Sequence, residues 1–120
     1  MQIINSEAIK PFDCDGCLIV DSSESDVIIE VVDPVTGGTI EVGLNLSMVR
    51  LLEEEFQRGS FIVVWSRSGW EWAKNIIEAA ELTNKVHLVM SKPLVYFDDT
   101  PVENWLKDRV FIGPDVPYKR

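Results

Sequence analysis

The sequence has little of what several classes of function require. A single histidine excludes chemistry that needs several histidines, and with only two cysteines the chain is poorly supplied for a zinc site. Basic residues are scarce: 11 Lys and Arg stand against 20 Asp and Glu, and the formal net charge is −9. Nucleic-acid binding is therefore not expected, since it needs clustered Lys and Arg. No apolar run approaches the length of a membrane span, so we expect no membrane association.

The remaining composition is that of one globular domain. The chain has 120 residues, of which 46% are hydrophobic, and we expect a single domain over residues 1–120. The first residues lack the basic and apolar regions of a signal peptide, so the expected location is cytoplasmic. In that compartment, Cys14 and Cys17 are expected to be free thiols.

Apolar runs alternate with helical patterns along the chain. Runs at 8–12, 61–65, 86–89, 94–97 and 110–112 predict five strands, and residues 27–44 predict a β-hairpin around a turn-rich centre. A helix is predicted from residue 45 or 47 to about 58, and two capping boxes, Ser68 to Glu71 and Thr100 to Glu103, predict further helix starts. Strands alternating with helices predict an α/β fold with a mostly parallel sheet covered on both faces.

Reactive side chains follow four of the predicted strands. In parallel sheets, ligands bind beyond the carboxyl ends of the strands, so these residues are expected to meet. A carboxylate can attack phosphorus, a second carboxyl can act as acid and base, and hard oxygen ligands suit Mg²⁺. A lysine and backbone N–H groups can hold the charge of a phosphoryl group. The residues are Asp13, Asp15, Ser66, Lys92, Asp98 and Asp99.

These stretches resemble the four motifs of the haloacid dehalogenase (HAD) superfamily. The similar segments are residues 12–18, residues 63–66, Lys92 and residues 96–99, in the family's order, and the resemblance covers roughly residues 8–112. It implies a three-layer Rossmann-like domain with a five-stranded sheet, order 5-4-1-2-3, and a hairpin flap at about 27–44. Cys17 and Pro11 depart from the family's usual pattern at the first motif and first strand.

The resemblance also implies a role for each residue in a Mg²⁺-dependent phosphatase. Asp13 would be the nucleophile and a metal ligand, and Asp15 would be the general acid and base, with its carbonyl on the metal. The others would bind phosphate (Ser66), neutralise charge (Lys92) and hold the metal (Asp98 and Asp99). Arg67 is a candidate for a second anionic group or for a solvated salt bridge, and Trp70 is a candidate substrate contact.

Several alternatives stay open at this stage. The expected substrate is a small phosphorylated molecule, and the apolar residues on both faces of the hairpin indicate a homo-oligomer formed through the flap. A catalytically weak or inactive binding module with the same fold is one rival, and a phosphatase acting on nucleic-acid ends is another. The Cys-x-x-Cys spacing of Cys14 and Cys17 also fits a redox or zinc motif, although its aspartates favour phosphate chemistry.

Overall fold

Residues 8–106 are the part of the chain that this computed structural model describes, and they contain six strands and two α-helices. In chain order the elements are β1 (Ile9–Asp13), β2 (Ile19–Val20), β3 (Ile28–Val32), β4 (Thr39–Leu44), α1 (Leu46–Gln57), β5 (Phe61–Ser66), α2 (Trp70–Ala79) and β6 (Leu88–Ser91). Short 3-10 helices occur at Ser22–Glu24, Thr83–Lys85 and Val102–Asn104. The strands form a parallel sheet, order β1-β5-β6, and a separate antiparallel sheet, order β2-β4-β3.

The central strand β5 explains the position of the core. Ile62, Val63 and Val64 are consecutive and all buried, so both faces of this strand are covered. Helix α1 contributes an apolar face that includes Leu52, and α2 contributes one that includes Ile76; both side chains are almost fully buried. Burial of each such side chain stabilises the fold by about 1.5–3 kcal/mol.

The prediction of a five-stranded sheet is wrong for the residues that the structure describes. The segment predicted as the fourth strand, residues 94–97, has no strand partner among residues 8–106, and its Leu94, Val95 and Phe97 side chains are 76%, 71% and 97% exposed. An inner strand of a parallel sheet needs cover on both faces, which this segment does not have. The predicted fifth strand, residues 110–112, lies outside the described residues.

Both predicted capping boxes are also wrong. Helix α2 begins at Trp70, and its N-cap is Gly69 at φ 109°, a backbone conformation that favours glycine. The box that begins at Thr100 starts only a 3-10 turn, and the Thr100 hydroxyl donates to Asp99 instead of capping it. In both places the hydroxyl residue is one position too early to act as the cap.

The predicted hairpin is present as β3 and β4, and β2 adds a third strand to it. Its Val31 side chain is fully buried, and the Asn75 side chain on α2 donates a 2.9 Å hydrogen bond to the Val32 carbonyl. The hairpin therefore packs on a helix of its own chain. A two-stranded ribbon needs such support, and a partner subunit is not required to provide it.

Pro11 and the single histidine, His87, lie in or directly next to strands of the parallel sheet. Pro11 lies in β1, whose strand neighbour among residues 8–106 is β5, and an edge strand tolerates a residue that lacks an N–H. His87 precedes β6, and its Nδ1 accepts a 2.9 Å hydrogen bond from the Ile62 N–H. The His87 ring also stacks on Phe61, with ring centroids 4.7 Å apart. His87 therefore satisfies a backbone N–H of β5 and packs against the first residue of that strand.

Candidate active site at the carboxyl edge of the parallel sheet

Three of the predicted clusters meet at one edge of the parallel sheet. Asp13 ends β1 in register with Trp65, and Ser66 ends β5 in register with Ser91, the last residue of β6. Lys92 follows directly, and its backbone N–H donates a 2.9 Å hydrogen bond to the Ser66 carbonyl. A carboxylate, a hydroxyl and an ammonium group are thus carried by three neighbouring strand ends.

Asp15 lies on a tight loop that leaves β1. The Cys14 carbonyl accepts hydrogen bonds from the N–H groups of Cys17 and Ile19, at 3.0 and 3.1 Å, and Gly16 donates to the Ile19 carbonyl at 2.9 Å. Gly16 has φ 79°, which permits the sharp turn after Asp15. The Asp15 side chain is exposed, so the loop presents this carboxylate to solvent two residues beyond the Asp13 strand end.

Ser66 is the centre of a hydrogen-bond cluster. Its hydroxyl accepts from the Ser68 N–H at 3.0 Å, and its carbonyl accepts from the Gly69 N–H at 3.1 Å as well as from Lys92. The side chain is fully buried. Its hydroxyl proton is still free to be donated, because accepting a bond uses only a lone pair.

The first turn of α2 is attached to the same edge. The Trp70 N–H donates a 3.0 Å hydrogen bond to the Ser91 hydroxyl, and the Trp70 side chain is half exposed. Arg67, between Ser66 and the helix, is also exposed. Sequence reasoning missed Ser91, although its position directly before Lys92 at a predicted strand end was a usable signal.

The two remaining predicted carboxylates do not join this edge cluster as metal ligands. Asp98 accepts a 3.1 Å hydrogen bond from the Thr100 N–H, and Asp99 accepts one of 3.1 Å from the Thr100 hydroxyl. Hydrogen bonds with the Asp98 and Thr100 side chains lower the pKa of Asp99. Within residues 8–106, no group of three or more His, Cys, Asp or Glu side chains is arranged to hold a metal ion.

The two cysteines are buried free thiols. Burial, reinforced by the charges of Asp15 and Asp13, raises the pKa of Cys14 far above its ordinary range. Burial likewise raises the pKa of Cys17 to about 11; the charge of Asp13 adds to this rise and the Lys92 ammonium opposes it. The thiols are therefore protonated at neutral pH, which disfavours the redox interpretation of this motif.

The charge of Lys92 also bears on the pKa of Cys17. Both Asp13 and Lys92 act on Cys17, so the two charges lie within electrostatic reach of one buried thiol. Among the described residues, the Lys92 ammonium forms no ion pair with any carboxylate.

An acidic groove lies on the hairpin side of Asp15. Its volume is about 380 Å³, and four carboxylates line it, those of Asp15, Asp21, Glu24 and Glu41. Such a groove repels a polyanion, because like charges in a concave surface reinforce one another. The surface between Asp15 and the hairpin is consequently negatively charged.

The comparisons do not assign the chain to a family. It matches no family model, no curated protein and no solved structure. No helix within residues 8–106 has the length and apolar character needed to cross a membrane.

Proposed function

We propose that the protein is a phosphomonoester hydrolase that forms an aspartyl-phosphate on Asp13 and acts on a small phosphorylated molecule. The observation that carries the proposal is the meeting of Asp13, Ser66 and Lys92 at the carboxyl ends of three adjacent parallel strands. The resemblance of these residues to the HAD motifs supports it, as does the loop that places Asp15 beside the same edge. We propose a cytoplasmic location, since two free thiols suit a reducing compartment.

The chemistry would proceed in two displacements. A carboxylate oxygen of Asp13 attacks phosphorus, the bond to the substrate oxygen breaks, and the Asp15 carboxyl gives its proton to the departing alcohol. Asp15 then takes a proton from a water molecule, whose oxygen attacks the same phosphorus. Inorganic phosphate leaves and the Asp13 carboxylate is restored. The Lys92 ammonium and the Ser66 hydroxyl would stabilise the charge on the equatorial oxygens throughout.

Magnesium dependence is part of the proposal, but the donor set among residues 8–106 is incomplete. Asp13 and Asp15 offer the hard oxygen donors that Mg²⁺ prefers, whereas Asp98 and Asp99 bond to Thr100 and do not complete a group of ligands. When bound, the ion would supply positive charge to the phosphoryl oxygens.

The test is hydrolysis of p-nitrophenyl phosphate, followed by a panel of nucleotides, sugar phosphates and phosphopeptides, with and without Mg²⁺. We expect activity that requires Mg²⁺ and that falls to background in Asp13→Asn. Asp26→Asn, an exposed carboxylate on the loop before β3, is the matched control and should retain activity. Activity retained in Asp13→Asn would refute the nucleophile assignment.

A binding module without catalysis is the second candidate, because the predicted metal ligands are not brought together among the described residues. Measurable Mg²⁺ binding with no turnover of any member of the panel would favour it. A phosphatase acting on nucleic-acid ends is disfavoured by the net charge of −9. Turnover of nucleotides, insensitive to salt, without turnover of oligonucleotides would dispose of that alternative.

We also propose self-association through the outer face of the hairpin. Val31 faces α2, whereas Ile28 and Val32 are 43% and 48% exposed on β3. Ile28 and Val32 would supply the apolar contacts with a second copy, on either side of the exposed Glu30 and its cross-strand partner Glu41. Light scattering at the concentration used for assays should give a mass above that of one chain, and a monomer would contradict the proposal.

A further inference from the structure

Asn45 occupies the N-cap position of α1 without capping the helix. Its side chain makes no hydrogen bond to the first turn, although Asn, Asp and Ser are all good caps. Instead, Nδ2 of Asn45 donates a 2.9 Å hydrogen bond to the Cys17 carbonyl. The Asn45 backbone N–H also donates to the Leu18 carbonyl, at 2.9 Å. One residue thus holds two successive carbonyls of the loop that carries Asp15.

The position of Asp15 depends on this loop. Within residues 8–106 the Asp15 carboxylate is exposed and makes no hydrogen bond or ion pair, so its own side-chain contacts do not fix it. The loop backbone is held at its start by the turn in which Cys17 donates to Cys14. At its far end it is held by Asn45, which anchors it to the beginning of a 12-residue helix.

We propose that Asn45 is a positioning residue for Asp15: its amide holds the loop so that the Asp15 carboxyl can deliver a proton to the leaving group. The inference rests on the proposed function. An amide is required because the Cys17 carbonyl needs a donor, which the isosteric carboxylate of aspartate lacks. The Asn45 side chain makes no hydrogen bond to the first turn of α1, so the exchange removes the bond to the loop without removing a helix cap. Aspartate is also well tolerated at the N-cap position.

The test compares two substrates that differ in their need for an acid. p-Nitrophenyl phosphate releases a good leaving group, whereas phenyl phosphate has the same ring and releases a poorer one that needs protonation. For Asn45→Asp we expect kcat/KM on phenyl phosphate to fall about tenfold or more, a part of the ~10²–10⁴-fold that general acid–base catalysis contributes. The fall on p-nitrophenyl phosphate should be clearly smaller, and the urea unfolding midpoint should stay within error of the original protein.

The controls separate the possible failures. Ser47→Ala, in the same exposed first turn of α1 but without a bond to the loop, should leave the ratio of the two substrates unchanged. If Asn45→Asp does not fold, Asn45→Ser is used by the same criterion, since serine caps helices but is too short to reach Cys17. An equal loss on both substrates, or none, would overturn the inference. If the unsubstituted protein hydrolyses neither substrate, the proposed function is refuted, and this inference with it.

Discussion

The backbone N–H of Trp70 and the hydroxyl of Ser91 form a 3.0 Å hydrogen bond that joins the first residue of α2 to the last residue of β6. Because the N-cap, Gly69, has no side chain to offer, a serine from a neighbouring strand satisfies one of the helix's first N–H groups. The cap of α2 is thus supplied by the strand that precedes Lys92, and helix and strand are fixed to each other at the candidate site.

Removing this cap should destabilise the protein. We expect Ser91→Ala to lower the free energy of unfolding by about 1 kcal/mol, the usual cost of losing a side-chain cap. Ser68→Ala is the matched control: its side chain is exposed, and the change should stay within about 0.5 kcal/mol. Urea unfolding followed by circular dichroism measures both. The reverse ranking would mean that Ser68 is the cap after all.

Gly43 should not tolerate a side chain. A Cβ at this position of β4 would lie 2.7 Å from the Asp21 carbonyl oxygen and 2.8 Å from the Ser25 Cβ. The loop over β4 cannot move freely, because the Ser25 hydroxyl donates a 2.7 Å hydrogen bond to the Leu44 carbonyl. We expect Gly43→Ala to cost about 1–3 kcal/mol of unfolding free energy, as overpacking does.

Gly38→Ala is the control for this steric argument. Its added Cβ would meet only the Thr36 hydroxyl, at the ordinary contact distance of 3.5 Å. Thermal unfolding should therefore show a lower midpoint for Gly43→Ala than for Gly38→Ala. Equal midpoints would contradict the close approach of the loop to β4.

The raised pKa of Cys17 predicts that stability falls at alkaline pH. The unfolded thiol loses its proton near its ordinary pKa of 9.0, whereas the native thiol keeps it until about 11. Between these values the native state binds more protons, so the stabilisation present below pH 9 is lost as pH rises towards the native pKa. Urea unfolding between about pH 8 and about pH 10.5 should show a shallower decline in Cys17→Ala. An unchanged decline would argue against a buried thiol.

Much of the architecture could be predicted because the local pattern of apolar residues indicates which positions of a strand or helix are buried. The apolar run of β5 indicated a strand covered on both faces, and the helix predicted from residue 45 or 47 to about 58 is present as α1, Leu46–Gln57. Asp13, Ser66 and Lys92 were found by one rule, that polar residues after parallel strands share an edge. Each of these inferences needed only the chain near the residue concerned.

The predictions were wrong in two situations. In one, an apolar segment is not covered by another layer of the structure; in the other, the helix cap lies one residue after the predicted one. Residues 94–97 have the composition of a strand, but composition does not reveal whether another layer will cover them, and in the described structure none does. Ser68 had the right partner spacing with Glu71, yet the helix begins after Gly69. The roles of Ser91 and Asn45 depend on contacts between distant segments, which no local pattern encodes.

The hydrogen bond from Asn75 to the Val32 carbonyl links α2 to the antiparallel sheet. The first turn of α2 is in turn bonded to β6 of the parallel sheet. Neither sheet has a core of its own, since Val31 and the buried face of α2 belong to one continuous apolar cluster. Both sheets should consequently unfold in one cooperative thermal transition. A ligand that binds at the carboxyl edge of the parallel sheet should also protect backbone amides of the antiparallel sheet from hydrogen exchange.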